Sequence, residues 1–252
     1  MEQLSERLQT PISTAELQRR WAAVRAAMER EQIDVLLMQN NNDYMGGYVK
    51  YFTDLPATNG YPLTVVFPRD DLMTLVSQGP FGGVTHPAVN GDGVRRGVKQ
   101  WMTTPSFVSC NYTAGYDAEL AAKALSPYAG STIGLVGTAQ MSFALVDYLQ
   151  KGRFSNTRFV EAGDLVDTIK AIKSAEEQEL IRRAAAMQDG AMRAAFAAVE
   201  PGMRDRRCRG NRSVLRSAAR QRKWHLPLCL DAAGQTGPVQ PASLPEPRHS
   251  GR

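Results

Sequence analysis

The residues that could perform chemistry are few in this sequence, and none stands at the spacing of a catalytic or metal-binding motif. His86 has no second ligand at metal-site spacing, which predicts a loop histidine. The three cysteines are odd in number, widely spaced and without a C-x-x-C pair: Cys110, Cys208 and Cys229. This usage predicts a reducing compartment and no disulfide framework. A zinc site that combines the last two cysteines with His225 and His249 has little support, because it lacks a C-x-x-C clasp.

Two glycine-rich stretches, residues 79–83 and 91–97, are candidate phosphate-binding loops. Neither contains G-x-G-x-x-G between a strand and a helix, which a dinucleotide site requires. The sequence also lacks G-x-S-x-G, H-E-x-x-H and the Walker loop. We therefore predict no catalytic residue and no metal-ligating residue in this chain.

The polar stretch QNNNDYMGGYVKY, residues 39–51, is a candidate binding loop. It follows a continuous apolar run at 33–38, which predicts a strand buried on both faces. Ligands of open α/β sheets tend to bind outside the carboxyl ends of strands. Tyr44 and Tyr51 are therefore candidates for the rim of a substrate pocket. The alternative is an ordinary turn in which Asn and Gly supply positive φ angles.

The elements that position this loop are of mixed α/β type. Apolar residues recur at helical spacing over residues 17–28, after a possible capping box of Ser13 and Glu16. Two β-rich runs, 63–67 and 72–76, surround a polar turn and predict an antiparallel hairpin. Helices and strands then alternate: helix 117–125, strand 133–136, helix 141–149, an edge-like strand 158–160 and helix 164–172. We predict a three-layer α/β domain with a mixed sheet of five or six strands.

One long helix is predicted next, from Ile172 to Met203. Ser174 and Glu177 form an S-x-x-E capping box at its start, and Pro201-Gly202 ends it. The apolar residues of this helix form a helical stripe: Ile181, Ala184, Ala185, Met192, Ala195, Phe196 and Val199. At 1.5 Å per residue, the stretch between the capping Ser174 and Pro201 would span roughly 38 Å. A helix of this length needs a substantial packing partner, and little of the chain remains to supply one.

The residues KSAEEQELIRRAA, followed by a helix that ends in EPGM, resemble the first helix of the catalytic domain in the creatinase, prolidase and aminopeptidase P family. The preceding segment looks like the N-terminal domain of that family of pita-bread metallopeptidases. The resemblance implies four regions: an N-terminal arm at 1–13, a creatinase/prolidase-like N-terminal domain at 14–171, the first helix of the catalytic domain at 172–203, and a tail at 204–252.

For full-length relatives, the resemblance implies metal-dependent hydrolysis of a carbon–nitrogen bond, typically beside proline. Five side chains, in the order Asp, Asp, His, Glu, Glu, hold two divalent metals there, such as manganese, cobalt, zinc or iron. None of these ligands can be carried over to the 49 residues after Met203. The expectation is a truncated, inactive member of the family with no cofactor of its own. Some relatives act on creatine-like or sulfonium-acid substrates, so the substrate stays open.

The last 49 residues differ in kind from the rest of the chain. Residues 1–203 carry a net charge of −3 and the tail carries +8, with 10 of the chain's 23 arginines. Arg, Ala, Pro and Gly make up 24 of those 49 residues, as an out-of-frame reading of a GC-rich gene would give. We predict a frameshift after Met203 and a disordered tail. The alternative is a genuine basic arm for nucleic acid or an acidic surface, although Trp224 is its single aromatic residue.

The remaining expectations concern location and partners. No run approaches the ~20 apolar residues of a membrane span, and the first ten residues do not form a signal peptide, so we expect a cytoplasmic protein with no membrane partner. Nucleic acid is an unlikely partner for the mildly acidic region 1–203. The competing function class is a non-catalytic module that binds a partner. We expect self-association through the exposed face of the long helix, including Met192, Phe196 and Val199.

Overall fold

The computed structural model describes residues 11–40, 47–55, 60–88, 93–107, 109–152 and 154–197. The chain divides into two compact units, Met1–Ala184 and Ala185–Arg252. The first unit contains a seven-stranded mixed sheet with helices on both faces. The described part of the second unit is the end of one long helix. The predicted α/β class with a mixed sheet is confirmed.

The strands and helices alternate along most of the chain. In chain order they are α1 Thr14–Arg30, β1 Val35–Asn40, α2 Gly47–Thr53, β2 Leu63–Pro68, β3 Met73–Gln78, β4 Gly83–Thr85, β5 Val98–Thr104, α3 Tyr116–Leu125, β6 Thr132–Val136, α4 Phe143–Lys151, β7 Arg158–Glu161, α5 Gly163–Ala171 and α6 Ala175–Ala197. The strand order in the sheet is β4-β5-β3-β2-β1-β6-β7. β2 is antiparallel to β1 and β3, and β4 is antiparallel to β5. The other neighbours are parallel.

The centre of the sheet is its most buried part. Every residue of β1 and of β2 is buried, as the continuous apolar run at 33–38 predicted for β1. Helices α1, α2 and α5 pack on one face, and α3 and α4 pack on the other. The predicted core face of α1 is confirmed, since Leu17, Val24 and Met28 have no exposed surface. The hairpin of β2 and β3 and the edge position of β7 are also confirmed.

The predicted number of strands was too low. The sheet has seven strands, and the two missed ones are β4 and β5. β5 reads VKQWMTT, so its apolar positions are diluted by Lys99, Gln100 and the threonines. It joins the sheet because its backbone pairs with β3, a contact between segments that local periodicity does not report.

The predicted loop at residues 39–51 was also wrong in part. β1 continues through Asn40, and residues 47–53 form helix α2. Val49, Tyr51 and Phe52 are buried, and Phe52 is in edge-to-face contact with Phe67 at a centroid distance of 4.8 Å. Burial against the sheet therefore stabilises a helix whose own sequence favours one only weakly.

Helix α6 begins at Ala175, three residues after the predicted start at Ile172, and most of its described side chains are exposed. The capping box is confirmed, since the amide of Ser174 donates to Glu177 Oε2 at 2.9 Å and the amide of Glu177 donates to Ser174 Oγ at 3.1 Å. None of its described side chains is buried. No helix in the described ranges is long and apolar enough to cross a membrane. Residues 198–203, with Val199, and the tail at 204–252 lie outside the described residues.

Candidate functional site

The carboxyl ends of five strands meet at one edge of the sheet. β1, β3, β5, β6 and β7 run in one direction, and β2 and β4 run in the other. We call the side where those five strands end the carboxyl edge. Because open α/β sheets bind ligands outside such ends, this edge is the natural place to look for a site.

A buried polar network lies just inside the carboxyl edge. Its centre is Asp117, in the first turn of α3, which is 4% exposed. Gln39 Nε2 donates to Asp117 Oδ2 at 2.5 Å and to Thr64 Oγ1 at 3.0 Å. Ser106 Oγ donates to Asp117 Oδ1 at 3.2 Å, and the amide of Ser142 donates to Gln39 Oε1 at 3.0 Å. The network ties the end of β1 to the starts of β2, α3 and α4.

Burial raises the pKa of the Asp117 carboxyl above its usual value, and the hydrogen bonds from Ser106 and Gln39 oppose that shift. Each carboxylate oxygen already accepts a hydrogen bond from a protein side chain. The group therefore holds the loops of the carboxyl edge together and is not presented to a substrate.

Asp117→Ala is expected to lower the free energy of unfolding by about 2 kcal/mol at neutral pH, because the buried Gln39 amide and Ser106 hydroxyl each lose one of their two acceptors and keep only Thr64 Oγ1 and the Thr113 carbonyl oxygen. Asp117→Asn, which preserves the shape of the side chain and one acceptor oxygen, is expected to lower the free energy of unfolding by less than the alanine substitution. Because the folded-state pKa of Asp117 lies above the ordinary value of 3.8, wild-type stability should fall as pH rises from 3.8 through the folded-state pKa. The Asn variant should lack this component. Urea unfolding at several pH values, followed by tryptophan fluorescence, measures both effects, and an Ala variant as stable as wild type would contradict the assignment.

Aromatic side chains lie outside this network, in the turns at the carboxyl edge. We call the set the aromatic rim: Tyr61, Phe81, Phe107, Tyr112, Tyr116 and Phe143. Phe81 is 68% exposed and Phe143 is 80% exposed. Two edge-to-face pairs connect its members, Tyr61–Phe107 at 5.7 Å and Phe81–Tyr116 at 5.2 Å between centroids. Exposed aromatic surface of this kind marks binding sites more often than chance.

Local sequence patterns do not reveal the aromatic rim, because its members are scattered over more than eighty positions. The available signal was an aromatic residue next to two of the predicted strands, Tyr61 before β2 and Phe81 after β3. Only the strand order brings these ends to the same edge.

The two tyrosines chosen from the sequence do not belong to this rim in the described structure. Tyr44 lies outside the described residues. Tyr51 is buried against α1, where the Arg20 guanidinium lies 4.5 Å from its ring centroid. Its hydroxyl is buried without a hydrogen-bond partner, and burial raises its pKa. The role of either residue at a substrate rim stays a prediction.

A second cluster joins α1 to the start of α6, and we call Glu16, Arg20 and Glu177 the α1–α6 clamp. Arg20 is 3% exposed; its Nε donates to Glu16 Oε1 at 2.9 Å and its Nη2 donates to Glu177 Oε1 at 2.8 Å. Its Nη1 donates to the carbonyl oxygen of Tyr51 at 3.1 Å. Glu177 thus closes the capping box with Ser174 and also binds the buried arginine. The clamp fixes where α6 starts relative to α1.

Two neighbouring arginines on α1, Arg19 and Arg20, shift the titration of Glu16. Its hydrogen bond to Arg19, opposed by burial and aided by Arg20, lowers the pKa of Glu16 from 4.5 to about 2. Because the folded-state pKa is depressed, the Glu16 carboxylate stabilises the fold above about pH 4.5, and that contribution is lost as pH falls towards 2.

The neighbouring acid of the KSAEE motif has its own partner on α1. Ser13 Oγ caps α1 by accepting from the amide of Glu16 at 3.1 Å. The amide and hydroxyl of Ser13 donate to Glu176 at 2.6 and 2.5 Å. The predicted capping box at Ser13 is therefore half confirmed, because Glu176 replaces Glu16 as the reciprocal acceptor. Both acids of the motif bind α1.

A metal pair does not fit the described part of the chain. Among residues 11–197, less the gaps given above, no group of three or more His, Cys, Asp or Glu side chains is placed to hold an ion. The acids that are buried there, Glu16 and Asp117, are already bonded to protein donors. The set of five ligands implied for full-length relatives is not found among these described residues.

Comparisons with known proteins show which solved structures share this fold. No protein-family model matches the sequence, and no curated protein matches it. The structure is similar to X-Pro aminopeptidase from Thermotoga maritima, with a TM-score of 0.55 and 14% identity over 80% of this chain and 49% of that one. It is similar to prolidase from Pyrococcus furiosus, with a TM-score of 0.52 and 17% identity over 78% of this chain and 52% of that one.

A third similar structure is dipeptidase PepE from Mycobacterium ulcerans, with a TM-score of 0.52 and 18% identity over 84% of this chain and 51% of that one. The chain spans about half the length of these solved structures. The matches cover the N-terminal part of those chains. The described part of this chain therefore has the fold of the N-terminal part of prolidases and X-Pro aminopeptidases.

Proposed function

We propose that this protein is a relative of the Xaa-Pro peptidases and creatinase-like metallohydrolases, and that the 252-residue chain is itself not a peptidase. The fold of the described residues before Ala185 and the KSAEE motif at the start of α6 support the relationship. The proposal that the chain is not a peptidase rests on one observation: the described ranges contain no cluster of metal donors. Hydrolysis by a metal-activated water needs such a cluster. The cysteine pattern supports a reducing, cytoplasmic location.

We further propose that the residues after Met203 are read in a shifted frame. The support is compositional: the net charge changes from −3 before this point to +8 after it. The acids and histidines of that segment are few and unlike the ligand series of the resembled family: Asp205, His225, Asp231, Glu246 and His249. The nucleotide sequence around codon 203, read in all three frames, tests this directly.

The decisive experiment measures metal content and hydrolysis on the same protein. After washing with a chelator and exposure to manganese, cobalt, zinc or iron, the chain is expected to retain no stoichiometric metal. It is expected to cleave proline-containing dipeptides and tripeptides no faster than background. Tight stoichiometric metal with turnover would show that the residues after Met203 are a working part of an enzyme.

The matched control is the protein translated from a restored frame, where the gene permits one. We expect it to gain both metal binding and hydrolytic activity. A restored frame that encodes no Asp, Asp, His, Glu, Glu series would contradict the frameshift proposal while leaving the relationship of the described domain intact.

The second candidate function is a non-catalytic module that binds a partner. Two observations favour it: the exposed aromatic rim at the carboxyl edge, and a helix α6 without a buried side chain among its described residues. The assay above distinguishes the two functions. A binding module shows no metal-dependent turnover as the 252-residue chain or as the protein translated from the restored frame, whereas a peptidase relative gains turnover in the restored frame. The exposed residues of α6 also indicate which kind of partner this helix would bind.

A further inference from the structure

We propose that two copies of this chain pair through helix α6 in antiparallel orientation, with Arg182 of each copy bound to Asp189 of the other. The inference goes beyond the proposed function, since it requires neither metal nor substrate. It rests on the exposure of α6, on the spacing of one row of its residues, and on the positions of its charges.

One row of α6 has the spacing of a two-helix seam. Ile181, Ala185, Gln188 and Met192 recur at intervals of four, three and four residues, which keeps them on one side of the helix. Ile181 is 52% exposed, Ala185 and Gln188 are exposed, and Met192 is half-buried. In an antiparallel pair centred near residue 186, Ile181 meets Met192 of the second copy and Ala185 meets Gln188. A single polar residue such as Gln188 in a seam favours one register.

The charges beside this seam match the same arrangement. Arg182 and Asp189 are seven residues apart and flank the row on one side. The two-fold axis that brings Ile181 onto Met192 also brings Arg182 opposite Asp189 of the second copy, and symmetry forms that pair twice. Within one helix these two residues are about 10.5 Å apart along the axis, too far to pair with each other.

Neither charge is committed to an ion pair in the described part of the chain. Asp189 is exposed and has no ion-pair or hydrogen-bond partner among the described residues. Arg182 makes one hydrogen bond, from its Nη2 to Gln178 Oε1 at 3.3 Å. Arg183, by contrast, is paired with Glu179 at 2.9 Å and projects from a different side of the helix.

In a parallel pair of helices, Arg182 and Asp189 would not face each other. In that orientation Asp189 would face Ala184, and Arg182 would face Glu177 of the second copy. Glu177 is already bound by the buried Arg20 and by its own capping box. The charge pattern therefore selects the antiparallel pair.

The interface is small, so the dimer is expected to be weak. One face of one helix buries less than the roughly 800 Å² per partner of a standard stable interface. We expect dissociation constants in the micromolar range for the full chain at moderate salt. Sedimentation equilibrium over a range of concentrations measures that constant.

Charge reversal tests the pairing. Arg182→Glu and Asp189→Arg, made singly, each place two like-charged pairs across the interface and are expected to weaken the dimer by about tenfold, equivalent to about 1.4 kcal/mol. An equimolar mixture of the two single variants should regain wild-type association as a heterodimer. In that mixture the introduced glutamate faces the introduced arginine, and native Asp189 faces native Arg182. Arg183→Glu, the same charge change one residue along, should leave association unchanged.

The mixing experiment separates this proposal from its rivals. Recovery in the mixture requires a contact between two copies, since neither variant can repair itself. Failure of the mixture to recover would overturn the proposal, as would equal effects of Arg182→Glu and Arg183→Glu. A wild-type chain that stays monomeric up to about 200 µM, well above the micromolar range expected for a small interface, would also overturn it and would indicate that another protein covers α6.

Discussion

Arg20→Ala is expected to lower the free energy of unfolding by about 3 kcal/mol, because two carboxylates each lose a buried, charged hydrogen-bond partner. Arg20 is 3% exposed and binds both Glu16 and Glu177; after its removal, the partly exposed Arg19 is the cation that still lies beside these two carboxylates. The stability of a domain of this size is about 5–15 kcal/mol, so the loss is a large share of the total. Urea unfolding at neutral pH, followed by tryptophan fluorescence, measures it.

The matched control is Arg183→Ala, which removes an ion pair of similar length on the surface. Its pair with Glu179 has side chains that are 65% and 52% exposed. Exposed i, i+4 pairs contribute about 0.3–0.5 kcal/mol. Equal effects of the two substitutions would contradict the clamp as a buried structural link. A double-mutant cycle between Arg20 and Glu177 isolates their coupling, which we expect to be favourable.

Phe52→Ala is expected to cost about 3–5 kcal/mol, as large-to-small changes of fully buried aromatic residues do. Phe52 has no exposed surface, contacts Phe67 edge to face, and its carbonyl oxygen accepts a hydrogen bond from Trp21 Nε1 at 2.8 Å. The same unfolding assay measures the loss. This variant also tests helix α2, because Phe52 is one of the buried side chains that hold this helix against the sheet.

Phe143→Ala is the matched control for that experiment. Phe143 belongs to the aromatic rim and is 80% exposed, so its removal is expected to change stability by no more than about 0.5 kcal/mol. A small effect at Phe52 or a large one at Phe143 would show that the burial of these two rings is wrongly assigned.

The α1–α6 clamp explains the structural role of the KSAEE motif, which carries the resemblance to the family. KSAEE can be understood from the sequence as a helix start, since serine and glutamate three residues apart satisfy each other's amides. The structure adds a contact with the first helix for each acid: Glu176 accepts hydrogen bonds from Ser13, the N-cap of α1, and Glu177 accepts one from Arg20. The motif is therefore both a cap for α6 and the link between α6 and the first helix of the domain.

The sequence by itself determined those features that depend on neighbouring residues. The buried strand at 33–38, the hairpin of β2 and β3, the core face of α1 and the capping box of Ser174 all follow from periodicity or spacing within a few positions. The resemblance in KSAEE likewise led to the fold that the solved structures share, although identity to them is below 20%.

Only the tertiary structure decided the features that depend on distant residues. Arg20 and Glu177 are 157 positions apart, and Gln39 and Asp117 are 78 apart. β5 became a strand through its pairing with β3, and α2 became a helix through burial of Phe52. The aromatic rim exists because the strand order brings separate turns to one edge. Local patterns report interactions within about four residues, whereas burial and ion pairing depend on which segments the fold brings together.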